Sequence, residues 1–306
     1  MYVVIVKNSV LPATLYGGTE RVAWSLGHAL ARMGHKVAFL CRKGSVCDFA
    51  QVIPIDDKCP LSGQIPADAD IVHFNDAVPA GYERPHIVTI NGNLAQGEAV
   101  PPMAVFVSRN HARRHGSSHF VYNGLDWCDY PAAELELTRS YFHFLGNAAW
   151  RVKNVTGAIR IVKAHPQAEL HVLGGRRLNL KMGFRFTASR RVHFHGMVDN
   201  RQKARIISRS RGLVFPVLWD EPFGLCITES LFYGSPVFGT TRGSLPEIVT
   251  ADVGVLSDDE QELTHHLTDN FKPYVCHQYA VECFNADIMA TSYLALYDAV
   301  LQGNRW

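Results

Sequence analysis

The segment "DEPFGLCITES", residues 220–230, holds two acids eight positions apart around a glycine. The pattern predicts that Glu221 lies in a loop after a strand, and that Glu229 lies more than one turn inside a helix that begins near Gly224. The free N–H groups at such a helix start suit a phosphate. A carboxylate can accept two hydrogen bonds from the neighbouring hydroxyls of a sugar. The segment therefore predicts a site for a diphosphate joined to a polyol.

Positive charge is needed beside a diphosphate, and the segment "WRVKN", residues 150–154, supplies it. Arg151 and Lys153 lie there at the start of another predicted helix. A guanidinium and an ammonium are the side-chain groups that bind phosphate oxygens most strongly. We therefore expect this segment to lie opposite the two acids.

The wider charge distribution supports an anionic ligand. Between Arg151 and Arg211 the sequence has fifteen Lys and Arg but only two acids, Glu169 and Asp199, although the formal net charge of the whole chain is only +2. Such a segment favours an anionic partner, which leaves nucleic acid, an anionic membrane surface or a phosphorylated small molecule.

Apolar runs alternate with amphipathic segments along the chain, which is typical of parallel strands covered by helices on both faces. The segment "TERVAWSLGHALARMGH" predicts a helix with Thr19 as its N-cap and Gly34 at its end. In this first part, strands are predicted over residues 2–6, 36–41, 70–74, 86–90, 104–108 and 119–124.

The alternation restarts after a linker at 125–136, so we predict two domains of an α/β fold, each a doubly wound, Rossmann-like sheet. Their bounds are 1–130 and 131–276, and a final helix at about 277–303 is expected to pack back on the first domain. Strands of the second part are predicted over residues 141–146, 169–175, 191–198, 212–216, 236–240 and 254–257, and helices over 154–165, 200–210 and 225–234.

Composition excludes several classes of protein. The chain has 306 residues, 47% of them hydrophobic and 19% charged, as expected for a globular protein with two cores. We see neither a secretory leader at the start nor an apolar run long enough to cross a membrane. Seven cysteines without a C-x-x-C pair favour reduced thiols. These observations predict a cytoplasmic protein.

Two patterns could hold a metal ion, but neither is complete. The "DAD" at 68–70 precedes a predicted strand, and we interpret it as a turn. The "HFH" at 193–195 puts two imidazoles on one face of a strand without a Cys or Asp to complete the site, so we interpret these histidines as structural. No metal is therefore expected.

Further residues around the two acids resemble the retaining nucleotide-sugar glycosyltransferases of family 4, which have the GT-B fold. Their signature is a Glu, seven residues and a second Glu, as in Glu221 to Glu229, and it continues here as "ESLFYGSPVFGTTRGSLPEIV". The resemblance covers most of the chain and includes "GGTERVAWSLGHALARMGH", "VYNGLD", "FLGNAAWRVKNVTGAI" and "ELHVLGG".

This resemblance implies two Rossmann-like domains that face a central cleft, with the acceptor on the N-terminal side and the donor in the C-terminal domain. It implies transfer of a hexose from a UDP- or GDP-sugar to a hydroxyl acceptor, with retention of configuration. A glycan or glycolipid of a bacterial surface polysaccharide is the expected acceptor. The nucleotide-sugar is a co-substrate, and neither a cofactor nor a metal is expected.

Roles for individual residues follow from the same resemblance. Glu221 would contact hydroxyls of the transferred sugar and Glu229 the ribose, while Lys153 would hold the diphosphate. The other expected donor contacts are Phe223, Gly224 and Leu225 to the sugar and phosphate, Val198 near the base, and Gly17 and Gly18 over the phosphates from the N-terminal domain.

Two positions depart from the family pattern. Asn147 stands where an arginine usually precedes the phosphate lysine by six residues, which removes a cation from the leaving-group site. Arg151 would substitute for it. Asn91, in "TINGN", stands where many members have a histidine that contacts the sugar or phosphate.

The expected partners are a nucleotide-sugar donor and a glycan or lipid-linked acceptor, without nucleic acid and with a peripheral contact at the inner face of the membrane left open. Two alternatives use the same fold: a protein that binds a nucleotide-sugar without transferring it, and a nucleotide-sugar epimerase. An NAD-dependent oxidoreductase is disfavoured, since no G-x-G-x-x-G follows the first strand.

Overall fold

The chain forms two compact units. Unit 1 is Met1–Trp127 together with Phe284–Trp306, and unit 2 is Cys128–Cys283. The computed structural model describes residues 1–13, 17–180 and 182–306.

Unit 1 is built on a sheet of six parallel strands in the order β3-β2-β1-β4-β5-β6. Every residue of the central strand β1 is buried, which explains its unbroken apolar sequence "YVVIV". The elements are β1 Tyr2–Lys7, α1 Gly18–Arg32, β2 Lys36–Cys41, β3 Gln51–Pro54, β4 Ile71–Phe74, β5 His86–Ile90, β6 Ala104–Phe106 and α2 Arg109–Arg114.

Unit 2 has a second six-stranded parallel sheet, and a two-stranded antiparallel hairpin projects from it. The strands of this sheet are β7 Tyr141–Leu145, β8 Leu170–Leu173, β11 Val192–Phe194, β12 Ser210–Phe215, β13 Val237–Gly239 and β14 Gly254–Leu256. The helices of unit 2 are α3 Val155–Ala164, α4 Asn200–Ile207, α5 Leu225–Phe232, α6 Leu245–Ile248, α7 Glu260–His266 and α8 Pro273–Cys283. The hairpin strands are β9 Leu178–Asn179 and β10 Arg185–Phe186.

Both large sheets have the same topology. The order in unit 2 is β11-β8-β7-β12-β13-β14, so each sheet reads third, second, first, fourth, fifth and sixth strand. This is the order of a doubly wound Rossmann-like sheet, in which the winding direction reverses between the first and fourth strands. The predicted α/β class with two doubly wound units is confirmed.

The segment 277–303, predicted as one helix, contains the end of one helix and the whole of a second in the structure. α8 ends at Cys283 and packs on α5 in unit 2, whereas α9 (Ala286–Leu301) packs on α1 in unit 1. Asn285 starts α9, since its side chain accepts a hydrogen bond from the Ile288 backbone N at 2.9 Å. The units consequently divide after Trp127 and after Cys283, not at 130 and 276.

Two smaller predictions also differ from the structure. Residues 119–124 do not form a strand and make only an isolated bridge between Phe106 and Phe120. α1 begins at Gly18 with Gly17 as its N-cap, so Thr19 lies inside the first turn. None of the helices in the described parts of the chain is long and apolar enough to cross a membrane.

A buried hydrogen-bond network attaches α9 to the sheet of unit 1. The His73 imidazole pairs through Nδ1 with the Tyr297 hydroxyl at 2.7 Å and through Nε2 with Thr89 Oγ1 at 2.7 Å. Thr89 also pairs with the Tyr293 hydroxyl at 2.8 Å. Burial lowers the pKa of His73 to about 3, so the ring is neutral at pH 7.

Unit 2 contains a similar buried histidine in its central strand β7. His143 pairs with Ser210 Oγ at 2.7 Å on β12 and with Ser230 Oγ at 2.9 Å on α5. Burial lowers the pKa of His143 to about 3, and nearby Arg139 adds to this effect. The neutral ring therefore joins the sheet to the helix that carries Glu229.

Candidate functional site

The candidate site lies at the carboxyl edge of the sheet in unit 2. β7 and β12 are paired neighbours, and the strand order reverses between them. Doubly wound sheets bind ligands outside the carboxyl ends of the strands at this reversal. The loop after β7 carries Asn147, Arg151 and Lys153, and the loop after β12 carries Glu221 and Phe223. The strand order, which the sequence does not reveal, is what places these two loops side by side.

Glu221 and Lys153 form a buried ion pair across these two loops. Lys153 Nζ lies 2.6 Å from Glu221 Oε2, with the two side chains 14% and 6% exposed. Trp219 donates its indole N–H to the same oxygen at 2.8 Å, and Lys153 Nζ lies 4.9 Å from the centroid of the Trp219 ring. These contacts fix the Glu221 carboxylate and the Lys153 ammonium group next to each other at the edge of the sheet.

The loop that carries Glu221 is supported by the loop after β13. Ser244 donates its backbone N–H to the Glu221 carbonyl at 2.9 Å and its hydroxyl to the Phe223 carbonyl at 2.9 Å. A side chain at Gly243 would collide with the backbone of Glu221. This close approach gives a physical reason for the Gly-Ser of "TTRGSLP".

Gly224 is the N-cap of α5, and no side chain caps this helix start. Its φ of 86° favours glycine, and an added Cβ would lie 2.9 Å from Ile227 Cδ1. Leu225, the first residue of the helix, is half-buried and Phe223 is buried. An uncapped helix start beside Lys153 suits an anion.

The nearby thiol of Cys226 is not a nucleophile at pH 7. Desolvation raises the pKa of this thiol far above its ordinary value, and it outweighs the neighbouring Lys153 ammonium, which would lower that pKa. A protonated thiol reacts poorly. The chemistry of the site therefore depends on its charged groups and its helix start.

Glu229 lies in the middle of α5, and the sequence does not reveal its partners. Lys203 Nζ on α4 contacts Glu229 Oε1, and the Tyr130 hydroxyl donates to the same oxygen at 3.1 Å. Lys203 and Glu229 are only 5% and 7% exposed. Val198, in the loop that leads to α4, is also buried. Nothing in the spacing "NRQKARII" singles out Lys203, because its partner depends on how α4 packs.

Asn147 and Arg151 lie in the same loop as Lys153 but make different contacts. Asn147 Oδ1 accepts a hydrogen bond from the Ala149 backbone N at 3.0 Å, so the amide shapes the loop. Arg151 is exposed, and its guanidinium lies against Gly183 of the β9–β10 hairpin. The substitution of Arg151 for a missing family arginine stays a prediction.

The predicted residues of unit 1 lie at the carboxyl edge of their own sheet. Gly17 and Gly18 form the start of α1, where the Glu20 carboxylate accepts a hydrogen bond from Ser9 Oγ at 2.9 Å. Asn91 follows β5, and its amide nitrogen lies 3.4 Å from the Thr89 carbonyl oxygen. The loop before Gly17 includes residues 14–16, which lie outside the described residues. The expected roles of Gly17, Gly18 and Asn91 in donor binding stay predictions.

One cluster among the described residues has the spacing of metal ligands. The ligand atoms of Glu169, His171 and His193 lie within 4.8 Å of one another. His195 Nε2 pairs with His171 Nδ1 at 3.1 Å. Because Glu169 precedes β8, the cluster lies towards the amino ends of β8 and β11, away from the acids of the candidate site. The "DAD" segment has a structural contact, since Asp70 Oδ2 accepts a hydrogen bond from the Tyr2 backbone N at 2.6 Å.

Comparisons with known proteins found similar sequences and similar folds. Residues 139–271 match the family model described as "Glycosyl transferases group 1", and this segment contains Lys153, Glu221 and Glu229. A curated protein of Klebsiella pneumoniae, "Uncharacterized 41.2 kDa protein in cps region", is 30% identical over 115 residues, or 35% of this chain and 32% of that protein. The match thus spans about a third of that relative's length.

Solved structures match nearly the whole chain. AviGT4, described as a glycosyltransferase involved in avilamycin A biosynthesis, has a TM-score of 0.81 and 19% identity, covering 100% of this chain and 99% of its own. HepE from Anabaena in complex with UDP-glucose has a TM-score of 0.66 and 14% identity, covering 97% of this chain and 100% of its own. The chain therefore has the GT-B fold, and its residues 139–271 match the group 1 glycosyltransferases.

Proposed function

We propose that the protein is a glycosyltransferase that moves a hexose from a UDP- or GDP-sugar to a hydroxyl acceptor. The observation that carries the proposal is the buried Lys153–Glu221 pair beside the uncapped start of α5, within the segment that the family model matches. The complex of HepE with UDP-glucose supports a nucleoside-diphosphate sugar as the donor.

In the proposed reaction, the bond between C1 of the sugar and the diphosphate oxygen breaks, the acceptor oxygen bonds to C1, and the proton of the acceptor hydroxyl passes to the departing diphosphate. Negative charge develops on the diphosphate as its bond to C1 breaks. Lys153 and the backbone N–H groups at Gly224 and Leu225 stabilise this charge, and Arg151 adds a further cation. Positioning and electrostatic stabilisation by preorganised groups are the largest contributions that such a site can make.

The two acids bind the two ends of the donor in this proposal. Glu221 contacts sugar hydroxyls while Lys153 keeps its carboxylate in place. Lys203 and Tyr130 both bond to Oε1 of Glu229, and its second oxygen receives the ribose hydroxyls, since a carboxylate has about four acceptor positions. Val198 lies at the base, and Phe223 lines the sugar.

The finer features of the proposal follow the resemblance of the Glu-x7-Glu segment to family 4. They are retention of configuration, catalysis without a metal ion or cofactor, and a glycan or lipid-linked acceptor at the inner face of a bacterial membrane. The name of the Klebsiella relative, which refers to the cps region, supports a polysaccharide acceptor.

Thermal unfolding with a panel of nucleotides tests the donor site. UDP, GDP, ADP, CMP and their sugars are compared, with NAD as the negative ligand. We expect one nucleoside diphosphate to raise the Tm by about 5 °C at a hundredfold excess over its Kd. Glu229→Ala should abolish that shift, whereas Glu169→Gln, at an exposed acid of the same unit, should preserve it. Stabilisation by NAD alone, or by no nucleotide, would contradict the donor site.

A transfer assay with the identified donor tests the reaction. Glu221→Gln should lower kcat by about a hundredfold or more, because the sugar hydroxyls lose a charged acceptor while the side-chain volume is kept. The Tm and the circular dichroism of the variant show whether it is folded. Turnover close to that of the wild type in the folded variant would remove Glu221 from the mechanism.

A second function, nucleotide-sugar binding without transfer, is favoured by one observation. Asn147 supplies a neutral amide, already bonded to Ala149, where family members have an arginine. Stabilisation by a nucleotide-sugar without product from any acceptor would support this alternative. Conversion of the donor without an acceptor would instead identify an epimerase.

A further inference from the structure

The hairpin of β9 and β10 in unit 2 presents an unusual apolar surface. Its five large apolar side chains, which occupy every second position from 178 to 186, are between 51% and 76% exposed. β9 and β10 pair Leu178 with Phe186, so these two side chains share one face of the hairpin. Single exposed apolar residues are ordinary on a protein surface, but five large exposed apolar side chains within nine residues indicate an interaction site. The set is Leu178, Leu180, Met182, Phe184 and Phe186.

The same segment is strongly basic. Residues 176–191 contain five arginines and one lysine and no acid. Arg177 and Arg191 donate hydrogen bonds to backbone carbonyls, and Arg185 donates to a carbonyl and a hydroxyl. These acceptors are neutral, so they orient the guanidinium groups without cancelling their charge. The side chains of Arg176 and Arg190 are exposed.

Several contacts fix the hairpin on unit 2. Arg177 bonds to the carbonyls of Ser189 at 2.8 Å and Val192 at 2.6 Å, which ties the base of the hairpin to β11. The Arg185 guanidinium lies 5.1 Å from the centroid of the Phe194 ring. Asn179 Nδ2 donates to the Gly183 carbonyl at 3.0 Å across the turn. The apolar face is therefore held outward by the fold.

We infer that this hairpin docks the protein on an anionic phospholipid bilayer. The apolar side chains enter the boundary between headgroups and acyl chains, and the guanidinium groups bind lipid phosphates. A second copy of the chain is a poorer partner, because a two-fold contact would place the arginines of both hairpins together. Binding of the hairpin to a bilayer does not depend on the proposed function. The proposed function is needed only for the further statement that the acceptor of the transferred sugar is linked to a lipid.

Vesicle co-sedimentation of the full chain tests this inference. Vesicles of phosphatidylcholine alone are compared with vesicles of phosphatidylcholine and phosphatidylglycerol. We expect binding to the anionic vesicles only, weakened by added salt. Phe184→Ser with Phe186→Ser should reduce this binding about tenfold or more, since two apolar side chains leave the bilayer. Val46→Ser, at an equally exposed apolar residue of unit 1, is the matched control and should bind like the wild type.

Three outcomes would overturn the inference. They are absence of binding to anionic vesicles, equal binding by the Phe184/Phe186 variant, and a dimer in sedimentation velocity that only this variant dissociates. Arg176→Gln with Arg190→Gln should also weaken vesicle binding while leaving the Tm unchanged. Nucleotide-induced stabilisation is measured on the same variants and should be intact, so a failure of donor binding is distinguishable from a failure of membrane binding.

Discussion

At the scale of single residues, the least expected feature is the pair formed by Lys203 and Glu229. Two opposite charges are buried together there, with Tyr130 as a further donor. Removing one member of such a pair leaves the other charge buried and unpaired. The pair thus links the stability of unit 2 to a carboxylate that we assign to donor binding.

Lys203→Met should lower the free energy of unfolding by about 3–5 kcal/mol, because the Glu229 charge loses its closest partner. Lys203→Met combined with Glu229→Leu should recover most of that loss, since no buried charge remains. Urea unfolding measures both values. Lys163→Met, at an exposed lysine of α3, is the control and should change stability by less than about 0.5 kcal/mol. A double variant as unstable as the single one would contradict the pairing.

The sequence identified only part of the candidate site. Glu221 and Lys153 stand out in the sequence because each lies near a predicted helix start, and Glu229 stands out through its fixed spacing from Glu221. Trp219 and Lys203 could not be found, since their roles arise from contacts across the fold. The position of a lysine within a polar helix does not indicate which face will be buried.

At the scale of elements, the packing of α1 on β2 depends on a glycine in the helix interior. Gly27 lies against the ring of Phe39, and an added Cβ would collide with that ring. Glycine in an exposed helix interior costs about 1 kcal/mol relative to alanine, so propensity alone favours Gly27→Ala. The collision acts in the opposite direction and should be the larger effect.

Gly27→Ala should therefore destabilise the protein by about 1–3 kcal/mol. Chemical unfolding monitored by circular dichroism gives the value. Gly63→Ala is the matched control, because nothing lies within 4 Å of an added Cβ there. A more stable Gly27→Ala variant would mean that helix propensity outweighs the close packing.

The errors in element prediction have a common cause. Residues 119–124 have the composition of a strand but lack sufficient pairing, and strand formation requires a partner that composition does not specify. The final helix was expected to be continuous, and the break at Asn285 separates the part that packs on α5 from the part that packs on α1. Periodicity indicates that a segment is helical, but not which surface it covers.

At the scale of the whole molecule, both units contain a buried neutral histidine, so both should be sensitive to acid. Burial lowers the pKa of His73 and of His143 to about 3. A histidine in the unfolded chain has a pKa of about 6.5 and therefore binds protons more readily than the buried ring does. The free energy of unfolding is consequently highest above pH 6.5 and falls as the pH drops towards 3. Each group should account for about 2 kcal/mol of lost stability at pH 5.

Unfolding by urea at pH 7 and at pH 5 measures this effect. His143→Gln should be less stable than the wild type at pH 7 but should lose less stability on acidification, because one titrating group is gone. His265→Gln, at an exposed histidine of the same unit, should leave the pH dependence unchanged. An equal loss in His143→Gln and the wild type would show that other groups control acid unfolding.

The C-terminal helix α9 packs on unit 1, and this also determines the order in which the two units can fold during synthesis. Residues 128–283 are continuous and contain the whole sheet of unit 2, so this unit can fold as soon as it leaves the ribosome. Unit 1 is made first but lacks the helix that covers His73 until residues 284–306 have been added. Unit 1, which is translated first, should therefore be the last to become fully folded. Until then, the side chains of unit 1 that contact α9 in the folded protein are exposed to chaperones.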